Sequence, residues 1–322
     1  MNLMENRYQT LNRRELQDIV NNSSPEVEET DKLPMYTLDM GYKEFDSTYC
    51  GLWLKELMMI AAPANTDKKT FALNVLSNIM ERYDEAWSIW FSPEMSRKKI
   101  LTDLLGIKSR ESSEDISSGR MDGLSYSMMK SNVLKMATWS LIIDENLDFT
   151  LNGIIKRCMK YQNELQKKGF GTARVIFIDH LQLIDKIDDS DDVKKPDYKV
   201  VCKRLKELAE KLDATVILLC SLPEIQLGRT GKRPRKTDIT KYYGKGVLDS
   251  IDTLLLLSKR DHCEYNCWQS NKYQMEVRVA KNDIMEKYGK TFRVCVDTRN
   301  LKITVSKEDL TGFMCIEGCP FS

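Results

Sequence analysis

Lys69 and Thr70, in the run AAPANTDKKT (61–70), sit where an apolar stretch gives way to a helical pattern. A lysine and a hydroxyl at such a junction meet the phosphates and the divalent cation of a nucleoside triphosphate, with backbone N–H groups of the helix N-terminus completing the cradle. Asp179, in VIFIDHLQL (175–183), and Glu94, in WFSPEM (90–95), close two further apolar runs. An acid ending a buried strand can hold Mg²⁺ through water, and a second can polarise the attacking water as general base. Taken singly, each has a plainer reading: a loop before a helix, a strand that ends in Asp, a charge at a helix N-terminus. Together, in this chain order, they lay out a phosphate site, a catalytic carboxylate and a magnesium carboxylate at successive strand ends of a parallel sheet. The first segment also departs from the phosphate-loop pattern G-x-x-x-x-G-K-[ST], because Pro63 and Lys68 occupy its two glycine positions. The second glycine permits a backbone conformation that costs more with a Cβ, whereas Lys68 adds positive charge towards the phosphates.

These residues need a scaffold of alternating strands and helices, and the chain has one. LMMIAA (57–62) is a continuous apolar run, the mark of a strand buried on both faces. Phe71, Val75, Ile79 and Tyr83 share one face of the following helix. AWSIWF (86–91) predicts a strand, and MSRKKILTDLLG a helix closed by Gly106. The polar stretch 108–123 reads as an exposed connection, followed by a helix near 124–137 and a strand at 139–144. A helix over 150–168 starts at the N-cap Thr150 and stops at Gly169. ARVIFID (173–179) is a strand, 195–213 an amphipathic surface helix of alternating charge, and TVILLCSL (215–222) a buried strand. After a polar loop at 223–247 come strands at 252–258, 274–280 and 291–297, with LKITV (301–305) as a last antiparallel segment. The implied fold class is α/β: one mostly parallel sheet flanked by helices, with an antiparallel β-hairpin edge. Residues 1–30 are too polar to form a core and read as an arm or linker; 31–307 is the domain and 308–322 a tail.

Charged residues make up 30% of the chain and the net charge is only +1, yet KRPRK (232–236) and DKIDDSDD (185–192) are local clusters, so nucleic acid is not excluded as a partner. Arg229, Lys232, Arg233, Arg235, Lys236, Lys241 and Lys245 share one loop, with Tyr242 and Tyr243 for stacking; such a loop binds phosphates without reading sequence, or is simply a solvated charged loop. No apolar run has the length of a membrane span and the N-terminus has no signal-peptide pattern, so the chain reads as cytoplasmic. Nine cysteines in that setting imply free thiols or a metal. Cys50, Cys158, Cys202, Cys220 and Cys295 fit core packing. Cys263 with Cys267, and Cys315 with Cys319, are spaced either as a four-thiolate Zn²⁺ site, with His262 as a spare ligand, or as unrelated thiols.

The run MYTLDMGYKEFDSTYCGLWLKELMMIAAPANTDKKTFALN, with WSIWFSPEM, RVIFIDHLQLID, KRPRKTDI and its downstream LDSIDTLLLLSKRD, and EVRVAKN, resembles the RecA-like motor domain of DnaB-type replicative DNA helicases. The resemblance spans 33–305. It implies a ring of subunits, usually a hexamer, with ATP and Mg²⁺ between neighbours and single-stranded DNA in the channel. By matched position, Lys69 contacts phosphates with Lys68 beside it, Thr70 and Asp179 serve Mg²⁺, and Glu94 activates water. The loop at 229–247 faces the channel, and Lys281 reaches into the neighbour's ATP site. The family's scaffold domain, which meets primase, is expected to be absent, the chain beginning near the linker helix.

Three departures weigh against fast turnover. The phosphate-loop glycines are replaced, Asp283 stands where the family has its arginine finger, and Cys220–Ser221 replaces a serine–glutamine pair that senses the γ-phosphate. Loss of a finger costs about 10³–10⁵ in rate in other NTPases. Arg278, Lys287, Lys290 and Arg293 are candidates for a displaced cation. Two functions follow: an ATP-driven helicase translocating on single-stranded DNA, or an ATPase-impaired relative that loads, inhibits or scaffolds another helicase, with a primase or loader as partner. Nothing suggests the small-substrate pocket of a metabolic enzyme.

Overall fold

The computed structural model describes residues 37–84, 86–167, 174–187, 196–223, 233–259 and 271–305. All of them fall in one compact unit. The elements run β1 (Thr37–Leu38), α1 (Lys43–Tyr49), β2 (Leu52–Trp53), β3 (Leu57–Pro63), α2 (Lys68–Arg82), β4 (Trp87–Phe91), α3 (Arg97–Ser109), α4 (Ser113–Ser118), α5 (Gly123–Met136) and β5 (Ser140–Asp144). There follow α6 (Leu151–Lys167), β6 (Arg174–Ile178), α7 (Tyr198–Leu212), β7 (Thr215–Leu222), α8 (Lys236–Tyr243), β8 (Thr253–Lys259), β9 (Lys272–Asn282), β10 (Thr291–Asp297) and β11 (Ile303–Thr304).

Among the described residues, nine strands form one sheet in the order β11-β10-β9-β8-β3-β7-β6-β4-β5. The six from β8 to β5 are parallel and β9, β10 and β11 are antiparallel. Side chains alternate across a strand, so β3 feeds both layers of the core. Met58, Ile60 and Ala62 pack with Phe71, Val75 and Ile79 of α2 and with Leu104 of α3. Leu57, Met59 and Ala61 pack on the other face with Ile154 and Cys158 of α6 and Leu205 and Ala209 of α7. That double burial is why the strand reads as an unbroken apolar run. On the hairpin, Val277, Val279, Val294 and Val296 join the α2 layer; on the opposite face Arg278 and Arg293 lie exposed while Glu276, Ala280 and Cys295 are buried.

Several expectations from the sequence shift. Gly106 does not close its helix; α3 runs on to Ser109 and ends at Arg110 in the left-handed region (φ 60). A glycine inside a helix costs only about 1 kcal/mol, and a Cβ on Gly106 would lie 2.9 Å from the Glu111 carbonyl oxygen, so small size outweighs propensity there. The stretch 108–123 contains α4, whose N-cap Ser112 hydroxyl accepts from Asp115 N–H at 2.9 Å. The loop at 223–247 contains α8, stabilised where Asp238 accepts from Arg235 N–H at 2.7 Å. Tyr83 lies past the end of α2, its hydroxyl accepting from Asp39 N–H at 2.9 Å. Cys50 is the left-handed cap of α1 (φ 59) and only half-buried; Cys158, Cys202, Cys220 and Cys295 are buried as expected. Thr150 does cap α6, its hydroxyl accepting from Gly153 N–H at 3.1 Å. Gly169, the arm at 1–30 and the tail at 308–322 lie outside the described residues.

Candidate nucleotide and nucleic-acid sites

The strand order sets the site. β3, β7, β6 and β4 are consecutive neighbours, so the loops leaving their C-terminal ends converge. They bring together Lys68–Thr70, Cys220 and Ser221, Asp179, and Glu94. Asp179 is fully buried, anchored by its N–H to Phe91 carbonyl oxygen at 3.0 Å. Its Oδ2 accepts from Lys69 Nζ at 2.9 Å and from Ser92 Oγ at 3.2 Å. Burial alone would push this carboxyl up, but His180 and the Lys69 ammonium together hold it below its usual range. Its Oδ1 is buried without a hydrogen-bond partner, and His180 Nδ1 stands 3.8 Å away. The same imidazole nitrogen lies 3.8 Å from Glu94 Oε2, and Glu94 is half-exposed.

The segment 63–69 carries Pro63 and Lys68 at the two glycine positions of the phosphate-loop pattern. No residue from Pro63 to Lys69 adopts a left-handed φ, so the conformation that only glycine tolerates does not arise. Thr66 N–H donates to Pro63 carbonyl oxygen at 3.0 Å, and Asp67 leads into α2. The Asp67 carboxylate is held from the sheet side by the Tyr273 hydroxyl and by Lys259 Nζ at 3.6 Å. Lys68 is half-buried, and burial pulls its ammonium below the ordinary lysine range; Asp179, Cys220 and Glu94 oppose that pull and Lys69 adds to it.

The donors fit a magnesium–phosphate site. Among the described residues no group of three His, Cys, Asp or Glu side chains is arranged as a metal cage. An orphaned Asp179 oxygen and the nearly buried Thr70 hydroxyl are two hard oxygen donors. Mg²⁺ is bound in this way, by one or two protein oxygens plus phosphates and water. Cys263, Cys267, Cys315 and Cys319, with His262, lie outside the described residues.

The remaining candidates sit elsewhere. Lys281 Nζ donates to the carbonyl oxygens of Leu248 (2.8 Å) and Ile251 and pairs with Asp283 at 2.7 Å, so its charge is engaged within its own chain. Arg233 forks onto the buried Glu276 of β9, Nε to Oε2 at 2.8 Å and Nη2 to Oε1 at 2.9 Å. Arg293 approaches the same carboxylate at 3.8 Å, and Lys290 reaches the Thr48 hydroxyl at 3.3 Å. Arg235, Lys236, Lys241 and Lys245 are exposed on and beside α8, with Lys236 over the Tyr288 ring and Lys241 over the Tyr242 ring. Arg229 and Lys232 lie outside the described residues. Tyr242 is exposed, but Tyr243 is committed to the fold: its hydroxyl donates to Ser221 carbonyl oxygen and its ring packs edge-on against Tyr198.

Sequence reasoning passed over Gln182. Its amide donates to Ser221 carbonyl oxygen at 2.6 Å and to the Tyr243 hydroxyl, and accepts from Ser221 N–H at 3.3 Å. It therefore ties the turn after Asp179 to the end of β7 and to α8. A polar residue in the otherwise apolar LQLI was the only signal.

The model of the DnaB-like helicase C-terminal domain matches residues 37–294. The chain belongs to this family. Over 241 residues it is 26% identical to the replicative DNA helicase DnaB of Geobacillus stearothermophilus, covering 75% of this chain and 51% of that protein. The chain thus spans about half the length of the curated relatives it matches. A solved ATPase domain superposes with a TM-score of 0.72 over 90% of this chain and 96% of that one, at 19% identity. A DnaB-like replicative helicase, solved with regard to its interactions with primase, gives 0.71 over 90% of this chain and 64% of its own, also at 19%. Both share the fold: a RecA-like sheet with helices on its faces. In this DnaB-like domain acids follow β4 and β6, and a lysine and a threonine lie in the first turn of α2. Among the described residues no helix is long and apolar enough to cross a membrane.

Proposed function

We propose that this domain is an ATP-driven motor that moves on single-stranded DNA and unwinds duplex as part of a ring-shaped oligomer. The observation that carries the reading is the cluster at the ends of β3, β6 and β4: Lys69 paired with the buried Asp179, and Glu94 beside them across His180. In this reading the N–H groups opening α2 and Lys69 hold the phosphates. Thr70 and Asp179 would hold Mg²⁺, which would supply positive charge to the phosphates. Lys69 exchanges Asp179 for phosphate, which releases that carboxylate from its ion pair. Glu94 accepts a proton from water as the water oxygen bonds to the γ-phosphorus. The bond from that phosphorus to the β,γ-bridging oxygen breaks, and its electron pair leaves on ADP. The exposed cations Arg235, Lys236, Lys241 and Lys245 contact the DNA backbone, and Gln182 links the two sites through Ser221 and Tyr243.

One observation favours a second reading. Asp283 neutralises Lys281, the cation that would otherwise reach a neighbour's nucleotide. An ATPase-impaired partner of another helicase, loader or primase would keep the fold and the DNA surface while losing that contact. ATP hydrolysis with and without single-stranded DNA, measured beside Glu94→Gln, separates the two. DNA-stimulated turnover that Glu94→Gln abolishes supports the motor. Absence of turnover in the folded wild type supports the second reading.

A further inference from the structure

The phosphate loop carries one lysine more than phosphate binding requires. Lys68 and Lys69 are the first two residues of α2, and consecutive side chains on a helix diverge by about 100°. Their ammoniums therefore approach the strand ends from different directions. Lys69 is taken up by Asp179 at 2.9 Å. Lys68 opens α2 beside the neighbouring ends of β7, β6 and β4, within the electrostatic reach of Asp179, Glu94 and Cys220, and no described residue forms an ion pair or hydrogen bond with it. A γ-phosphate whose attacking water is held by Glu94, with Asp179 as a residue that would hold Mg²⁺, would lie between those two carboxylates.

We propose that Lys68 supplies, from within the same chain, the cation that neutralises the charge developing on the transferred γ-phosphoryl group. This rests on the motor reading above and assigns it a charge source. Two other described cations are engaged elsewhere, Lys281 on Asp283 and two carbonyls and Arg233 on Glu276, while Arg278 and Lys287 lie exposed on the hairpin. Lys68 is half-buried in a partly dry site, where a charge acts more strongly than in water. The loop accepts a side chain there because its path needs no left-handed residue from Pro63 to Lys69. In the step itself, the water oxygen bonds to the γ-phosphorus, the bond to the β,γ-bridging oxygen breaks with its electron pair leaving on ADP, and Glu94 takes the proton. Lys68 donates an N–H to a non-bridging γ-oxygen throughout and exchanges no proton.

The test compares Lys68→Met, Lys68→Arg and Lys69→Met with wild type, in steady-state hydrolysis and in binding of ADP with and without aluminium fluoride, in the presence of Mg²⁺. Lys68→Met should lower kcat about 10²–10³-fold, as removal of one preorganised charge donor does, with KM for ATP nearly unchanged. It should weaken the aluminium fluoride complex selectively while leaving ADP affinity intact, and Lys68→Arg should retain part of both. Lys69→Met should instead lose affinity for ADP itself. A Lys68→Met protein that turns over at or above the wild-type rate, or that loses ADP and analogue affinity in equal measure, overturns the proposal. Wild type that hydrolyses and is silenced by Glu94→Gln, yet is indifferent to Lys68→Met, removes this role and leaves the motor intact. Wild type that binds neither ADP nor its aluminium fluoride complex removes both. In a wild type that binds but does not turn over, the analogue comparison alone decides.

Discussion

Replacing Glu56 with glutamine should make the fold more stable at neutral and alkaline pH and flatten its pH dependence. Glu56 immediately precedes β3 and is 1% exposed. Burial raises its carboxyl from an ordinary 4.5 to about 7, against hydrogen bonds from the Thr253 side chain and the Trp53 N–H; Asp252 adds to the rise and Lys206 opposes it. Between those two pH values the folded chain keeps a proton that the unfolded chain has released. Unfolding free energy must therefore fall as pH rises through that window, by about 3 kcal/mol in all. The full contribution is present below about 4.5 and is gone above about 7. Glutamine keeps the volume and still offers an oxygen to the Trp53 N–H, now accepted by Glu56 Oε2 at 3.0 Å. Reversible urea unfolding at pH 5, 6, 7 and 8 measures the effect. Glu56→Gln should exceed wild type at pH 8 by up to about 3 kcal/mol and lose most of the slope. Some slope should persist, because burial of Asp46 raises its carboxyl to about 6 and acts in the same direction. A variant with the wild-type slope, or one less stable than wild type at pH 8, would refute the reasoning.

Two further outcomes test the basic loop and its anchor. Arg235→Ala, Lys236→Ala and Lys241→Ala combined should weaken single-strand binding and flatten the slope of log affinity against log salt by about 2, since each phosphate contact on a single strand contributes about 0.7. Fluorescence anisotropy across a salt series reads both quantities, and no change in either takes these residues out of the interface. Arg233→Ala with Arg293→Ala strips the buried Glu276 of both cations and should cost about 3–5 kcal/mol in urea unfolding, as leaving a buried charge unpaired does. A loss under about 1 kcal/mol would show that solvent already screens this cluster. The same geometry makes Arg233→Ala a poor probe of DNA contact, because it disturbs the fold at the same time.

The parallel part of the sheet was legible because burial on both faces writes itself into composition. Each of β3, β4, β6 and β7 is a mostly apolar strand of five to eight residues, and the acids of the site follow β4 and β6. Helix ends were less legible. Gly106 looks like a stop, yet only the nearby Glu111 carbonyl explains why a glycine sits inside α3. Likewise α8 was hidden in a polar loop, its turn-forming residues masking one short apolar contact through Ile239.

Which residues stand at the strand ends was thus determined by sequence alone, since an apolar run and the polar residue that closes it are local facts. Which charges pair with which was decided only by the tertiary structure. Lys69 lies 110 positions from Asp179, and Arg233 meets Glu276 and Lys281 meets Leu248 across separations of 43 and 33 residues. Nothing in a basic run distinguishes an arginine held on a buried carboxylate from a lysine left in solvent. The register of β9 against β8 and β10 makes that distinction, because it places Glu276 under Arg233 and beside Arg293, where a buried carboxylate must be paired.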